Sequence, residues 1–316
     1  MVTLAHALGD GVDAADRLLA AAVGRVPGWA GRGFTYQPVG GGITNANYRI
    51  APVDGDETYF VKIPGIGTEM FIDRRAANDA ARHAHALGLG PEVHHFFDDT
   101  GIEISAFVEG LRSCNNADFQ QAPIRMMAID CYRRFNGGPL LALTKTVFDM
   151  IDEHADQVRG LDGHFPEDFV WLDRQYRRAR AAIEASGLDL VPCFNDPMPM
   201  NFMIDGSGAR MLLIDFEYAS NNDRCYELGI WFGEMFFTEA VEHELIERYF
   251  GRVEPSIVAR CQIHKALADI KWGLWSSIQE KLSALDFDFS KYGAWKFMRA
   301  RSVMHDTRWE SWLRQA

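Results

Sequence analysis

The chain has 316 residues and a formal net charge of −12, with 47% hydrophobic and 24% charged residues. That length exceeds what one core usually organises, so a soluble globular protein of two lobes is expected. The acidic balance argues against nucleic acid or an anionic membrane surface as partner and favours a small cationic molecule.

Five cysteines, at 114, 131, 193, 225 and 261, are widely spaced and form no CxxC pair. Neither a zinc site nor a disulfide framework is expected, and the usage fits a reducing compartment. The opening "MVTLAHALGDGVDAADRLLAAAVGRV" is apolar in patches but interrupted by acids and preceded by no basic leader. It reads as an amphipathic helix, with its helical spacing over 13–25, and not as a signal or a membrane span; a cytoplasmic protein is expected.

Strand signals follow. "FTYQPV", "NYRIAPV" and "TYFVKIP" alternate or run apolar and are punctuated by glycines and by Asp54 and Gly55, which predicts a three-stranded antiparallel meander. Residues 72–87 are alanine-rich and helical, with Gly88 as the stop. "EVHHFFDD" and "GIEISAFVEG" predict two more strands around Thr100 and Gly101. From residue 118 the pattern is mainly helical, except that "NFMIDGSGARMLLIDFEY" reads as a hairpin turning at 206–208. The expected fold class is therefore α+β: a small antiparallel-β lobe of five strands and one packed helix over 1–107, and a larger, mainly helical lobe over 108–316. Residues 106–110 form the expected hinge.

Several stretches carry chemistry. "GGGITNANY" sits between strands; its glycines allow close backbone approach to an anion, with Thr44 and Asn45 as further donors, or simply serve a turn that needs positive φ. Lys62 lies in the apolar strand "YFVKI" on the face of Phe60, either snorkelling to water or meeting an anion. A glycine loop followed by a strand lysine is the arrangement protein kinases place over ATP phosphates.

"CFNDPMPMNFMID" joins an acid to an amide five residues later on a segment that proline keeps from being helical. In the kinase template such an aspartate, here Asp196, takes the substrate hydroxyl proton, and the asparagine, here Asn201, holds magnesium. "LLIDFEY" supplies Asp215 at the end of an apolar strand as the second metal-binding acid. Each residue alone is commonly a turn cap, but the whole set in this order is not.

"ADIKWGLWSSIQ" places Trp272 and Trp275 on one helical face. Such a pair is ordinarily core, but two indoles can wall a cage for a quaternary ammonium, each contact contributing on the order of 0.5–2 kcal/mol. Glu234, an acid within "GIWFGEMFF", is the carboxylate that would complete it.

With these residues identified, the chain resembles the choline and ethanolamine kinase family, in the aminoglycoside-phosphotransferase-like branch of the kinase fold, from about "GGGITNANY" to "WGLWSSIQEKLSALDFDFSKYG". It is similar to bacterial choline kinases in "VKIPGIGTEMFIDR" and "GLGPEVHHFFDDTGIEIS", and to eukaryotic ones in "LIDFEYASNNDRCYELGIWFGE".

The resemblance implies a protein-kinase-like two-lobe fold and ATP-dependent phosphorylation of choline or a related aminoalcohol, with Mg2+ as cofactor, in a monomer or homodimer. It implies Asp196 as catalytic base, Asn201 and Asp215 as magnesium ligands, and Lys62 with Gly40, Gly41, Gly42, Thr44 and Asn45 at the ATP phosphates. Phe107, Val108 and Glu109 would lie at the adenine, and Glu217, Glu234, Trp272, Trp275 and Tyr292 at the aminoalcohol.

Two positions depart from the family pattern. Phe194 stands where the family has a histidine bracing the catalytic loop. Ala77 stands where a helical glutamate would pair with Lys62, leaving Asp73 as the nearest substitute. The alternatives are an ethanolamine, thiamine or aminoglycoside kinase of the same fold, or a pseudokinase that binds choline or nucleotide without turnover.

Overall fold

The computed structural model describes residues 6–9, 14–40, 45–65 and 67–316, the side chain of Ala15 excepted. The chain divides into two compact units, the first ending at Leu111 and the second running Arg112–Ala316.

In the first unit, strands β1 (His6–Ala7), β2 (Phe34–Val39), β3 (Asn45–Pro52), β4 (Tyr59–Pro64), β5 (Val93–Phe96) and β6 (Glu103–Ala106) accompany helices α1 (Ala14–Arg25) and α2 (Arg74–Ala86). They form one antiparallel sheet in the order β1-β2-β3-β4-β6-β5. The predicted meander is β2-β3-β4. β1 is additional to the five expected strands, and the helix predicted over 13–25 is α1. β1 is two residues long and exists only through its pairing with Thr35 and Tyr36. α1 joins the unit because Leu19, Ala22 and Val23, with Val26 just past its end, are buried together with Phe34, Ile50, Val61 and Ile104 of the sheet, the apolar stripe of an amphipathic helix covering one sheet face.

The second unit contains β7 (Leu111–Ser113), where the division falls, and then α3 (Ala122–Asn136), α4 (Val147–Gly160) and α5 (Phe169–Ser186). These are followed by β8 (Leu190–Cys193), β9 (Phe202–Asp205), β10 (Met211–Leu213), β11 (Ser220–Asp223), α6 (Arg224–Met235), α7 (Glu239–Phe250), α8 (Pro255–Leu282), α9 (Phe289–Met304) and α10 (Trp309–Gln315). β9 and β10 make the predicted hairpin, and β8 pairs with β11.

Helix α8 is the axis of this unit. From Ile257 to Gln279 it is buried nearly all round, as expected of a helix surrounded by others, and α4, α6, α9 and α10 pack on it. Close approach has a sequence cause: a Cβ on Gly229 of α6 would lie 2.7 Å from the Cys261 carbonyl oxygen, and one on Gly273 2.7 Å from the ring of Phe297 on α9. Among the described residues, no helix is long and apolar enough to cross a membrane.

Candidate active site

The segment between β8 and β9 cannot form a continuous α-helix, because Pro197 and Pro199 interrupt it. Asn195, just before Asp196, takes a left-handed conformation at φ 62°, and so does Asp215 beyond β10, at φ 67°. Non-glycine residues rarely adopt this region, and asparagine and aspartate tolerate it best. The first bend immediately precedes Asp196 and the second is at Asp215 itself, the two acids expected to do the chemistry.

Asp196 is buried, and its Oδ1 accepts a 3.4 Å bond from the Met198 amide. Burial and the negative charge of Asp215 push its carboxyl up to about 7, against an opposing pull from Lys271. The predicted base and the strand-end acid are therefore electrostatic neighbours. Asn201 closes a single 3-10 turn, Pro199–Asn201, and its carbonyl accepts the Ile214 amide at 2.9 Å. That bond fastens the loop to the strand end that presents Asp215.

The loop is braced by a residue that sequence reading did not single out. Glu227 of α6 is fully buried, and its carboxylate accepts the Phe194 amide at 2.6 Å, the Asn195 amide at 3.1 Å and Asn136 Nδ2 at 3.3 Å. Burial raises the carboxyl to about 7 even though these donors pull it down. Asn136 also donates to the Pro192 carbonyl at 2.6 Å, and Asn195 Nδ2 donates to the Tyr218 carbonyl and to Ser220 Oγ. Phe194, the residue in place of the family's histidine, is fully buried and edge-on to Phe216 at 5.2 Å. A helical carboxylate and apolar packing thus hold the loop here. One signal was available: Glu227 stands seven residues before Glu234, two turns away on one helix face, and both are acids in an apolar run.

In the first unit, Lys62 lies opposite Glu103 across the β4-β6 ladder, a spacing of about 5 Å between Cβ atoms. Glu103 accepts Asn78 Nδ2 of α2 at 2.8 Å. The helical glutamate position is Ala77, and strand β6 sets a carboxylate opposite Lys62 instead. Asp73 is engaged elsewhere, because its Oδ1 caps α2 by accepting the Arg75 and Ala76 amides. Gly40 directly follows β2 and Asn45 opens β3, whereas Gly41, Gly42 and Thr44 lie outside the described residues. The Phe107 amide donates to the Thr58 carbonyl, and Arg49 lies over the Phe107 ring. Glu109 accepts from Arg49 and from Thr58 Oγ1; Val108 follows Phe107 without regular structure.

The remaining predicted residues gather around α8 and α9. Trp272 and Trp275 are buried and edge-on to one another at 5.4 Å. Trp272 also meets Tyr218 at 5.0 Å, and Trp275 meets Tyr292 at 6.0 Å. Glu217 is buried just beyond Asp215. Glu234 is paired with Lys296 and with Arg299, and Arg299 also grips Asp269. Burial opposes the ionised Glu234 carboxylate, yet the two cations hold it below the usual range.

Lys271, overlooked in the sequence, lies among these groups. It is 1% exposed, with Nζ 3.1 Å from the ring centre of Trp272 and 4.2 Å from that of Tyr218.

An antiparallel-sheet unit, a mainly helical unit and a proline-held Asp/Asn loop next to a strand-end aspartate define a kinase-like phosphotransferase. The comparisons with known proteins agree. The family model of choline/ethanolamine kinase matches residues 36–250. Mouse ethanolamine kinase 1 is 26% identical over 86% of this chain and 84% of its own length.

A choline/ethanolamine kinase family protein from Mesorhizobium loti superposes with a TM-score of 0.79 at 27% identity, covering 95% of this chain and 99% of that one. Choline kinase LicA from Streptococcus pneumoniae gives a TM-score of 0.69 at 23% identity over 85% and 92% of the two chains, and LicA has also been solved in complex with AMP. The chain belongs to the choline/ethanolamine kinase family.

Proposed function

We propose that this protein transfers the γ-phosphoryl group of ATP to the hydroxyl of a small aminoalcohol, choline or a relative of it. The observation that carries the reading is Asp196: a buried carboxylate on a rigidly braced loop, beside Asp215 and next to the aromatic cluster of α8.

The chemistry assigned to this chain is positioning and proton transfer. The alcohol oxygen bonds to the γ-phosphorus as its proton passes to the Asp196 carboxylate, while the bond from that phosphorus to the bridging oxygen breaks and ADP leaves. A buried base is held in the geometry of attack, and such positioning supplies much of the rate in phosphoryl transfer. Lys62 and the Gly40–Asn45 loop serve the phosphates, with Glu103 orienting Lys62. Phe107, Val108 and Glu109 serve the adenine, and Glu217, Glu234, Trp272, Trp275 and Tyr292 line or flank the acceptor.

Asn201 and Asp215 fit a hard divalent ion. Both offer oxygen, and Mg2+ typically takes one or two carboxylates and completes its shell with water and substrate phosphates. When bound, it offsets charge on the phosphate oxygens.

The test is direct. With ATP and magnesium, an aminoalcohol should yield its phosphate ester in 31P NMR. Asp196→Ala should reduce kcat by about 10²–10⁴, the usual contribution of a general base, with nucleotide affinity by calorimetry retained. Unchanged turnover in that variant would remove Asp196 from the role.

A further inference from the structure

The aromatic corner next to Asp196 is already filled. A quaternary ammonium has no N–H donor, so it is held by ring faces and by the field of nearby carboxylates, with ring centres within about 6 Å of the nitrogen. Of the faces this region offers, the corner between Tyr218 and Trp272 holds Lys271 Nζ, at 4.2 and 3.1 Å. The ring of Tyr292 has Lys296 Nζ over it at 5.0 Å. Trp275 packs edge-on against Trp272, Phe289 and Tyr292. Glu234, the carboxylate that could complete a cage, is bound by Lys296 and Arg299. The chain's own amines occupy the positions a trimethylammonium group would need.

Lys271 is not placed there by hydrogen bonding. Its Nζ has no hydrogen-bond partner among the described residues and is shut off from water. A buried amine without a partner is costly, so its ring contacts and the negative charge of Asp196 are what offset its burial. The obstruction is one of volume and holds whether or not the amine is protonated.

We propose that Lys271 is a specificity-determining residue: it fills the aromatic seat, and the acceptor is an aminoalcohol with N–H donors, a primary amine above all, and not a quaternary one. This rests on the aminoalcohol reading given above. A primary ammonium needs no ring face. It is held by hydrogen bonds to carboxylate oxygens, each of which can accept from more than one donor.

The experiment uses the full chain and the series ethanolamine, N-methylethanolamine, N,N-dimethylethanolamine and choline. Affinity is measured by calorimetry and, separately, ester formation with ATP and magnesium by 31P NMR. In the wild type, affinity and kcat/KM should fall along the series, with ethanolamine at least about tenfold above choline, equivalent to about 1.4 kcal/mol.

Lys271→Met removes the amine and keeps the apolar stem. It should raise choline affinity at least about tenfold relative to ethanolamine without changing the KM for ATP. Lys271→Arg, which keeps a cation on the rings, should continue to exclude choline. The melting temperature shows that each variant is folded, and replacing an unpartnered buried amine by methionine should not lower it.

The proposal is overturned if the wild type binds choline as well as ethanolamine, or if Lys271→Met leaves their ratio unchanged. If the amines bind in the expected order and no ester forms, it is the phosphotransfer reading that fails. If no member of the series binds either protein, the aminoalcohol reading falls and this proposal with it.

Discussion

Asp196 shows what burial does to a single group. Its carboxyl is raised to about 7 by desolvation and by Asp215, so between about pH 4 and 7 the folded chain holds a proton that the unfolded chain has released. The resulting cost to folding is absent below the unfolded pKa and fully developed above about 7. In metal-free protein, Asp196→Asn should therefore raise stability at pH 8 by on the order of 1–3 kcal/mol, with the gain fading toward pH 4, while phosphotransfer is lost. Urea denaturation of both proteins across that range checks it; an equal gain at pH 4 and pH 8 would show that the carboxylate is not destabilised by its surroundings. The local setting of Asp196, Asn201 and Asp215 was legible in the sequence because prolines and an apolar strand fix it. Lys271 was not, since a lysine within "ADIKWGLW" reads as one more charged position until Tyr218 arrives from elsewhere in the chain.

At the scale of elements, helix α6 braces the loop that carries Asp196. Among the described residues, Glu227 supplies the acceptor for both the Phe194 and the Asn195 amide, and burial leaves no water to replace it. Glu227→Ala should destabilise the protein by about 2–4 kcal/mol, the cost of leaving buried donors unsatisfied. It should also lower kcat more than it raises the KM for ATP, because the proposed base Asp196 is displaced while the nucleotide contacts assigned to the first unit stay in place. Denaturant melts and steady-state kinetics measure the two effects; a stable variant with unchanged kcat would show that the loop holds its own shape. The hairpin β9-β10 and the meander β2-β3-β4 follow from alternation and turn residues, whereas β1 depends on a partner strand and leaves no local trace.

Across the second unit, Asp223 joins several elements. It ends β11, caps α6 through the Cys225 amide, accepts the Asp189 amide and pairs with Arg260 of α8, with His264 Nε2 at 3.5 Å. Burial alone would raise its carboxyl, but His264, Arg260 and the backbone donors outweigh that and hold it well below the usual range. Its contribution is therefore present above the unfolded pKa near 4 and lost as pH falls through the lower folded value. Asp223→Asn should cost about 3–5 kcal/mol at pH 7, as expected for breaking a buried pair from one side, and distinctly less at pH 3. Thermal melts at the two values decide it, and a pH-independent loss would point to packing alone.

The sequence by itself determined the α+β class, the meander, the hairpin and the order of lysine, aspartate, asparagine and aspartate along the chain. All of these rest on periodicity, turn chemistry and proline, which act over a few residues. Only the tertiary structure decided that Glu227 braces the loop, that Glu103 faces Lys62 and that Lys271 sits on the rings of Tyr218 and Trp272. Each joins residues distant in sequence or turns on side-chain direction, and so depends on packing that no local pattern encodes.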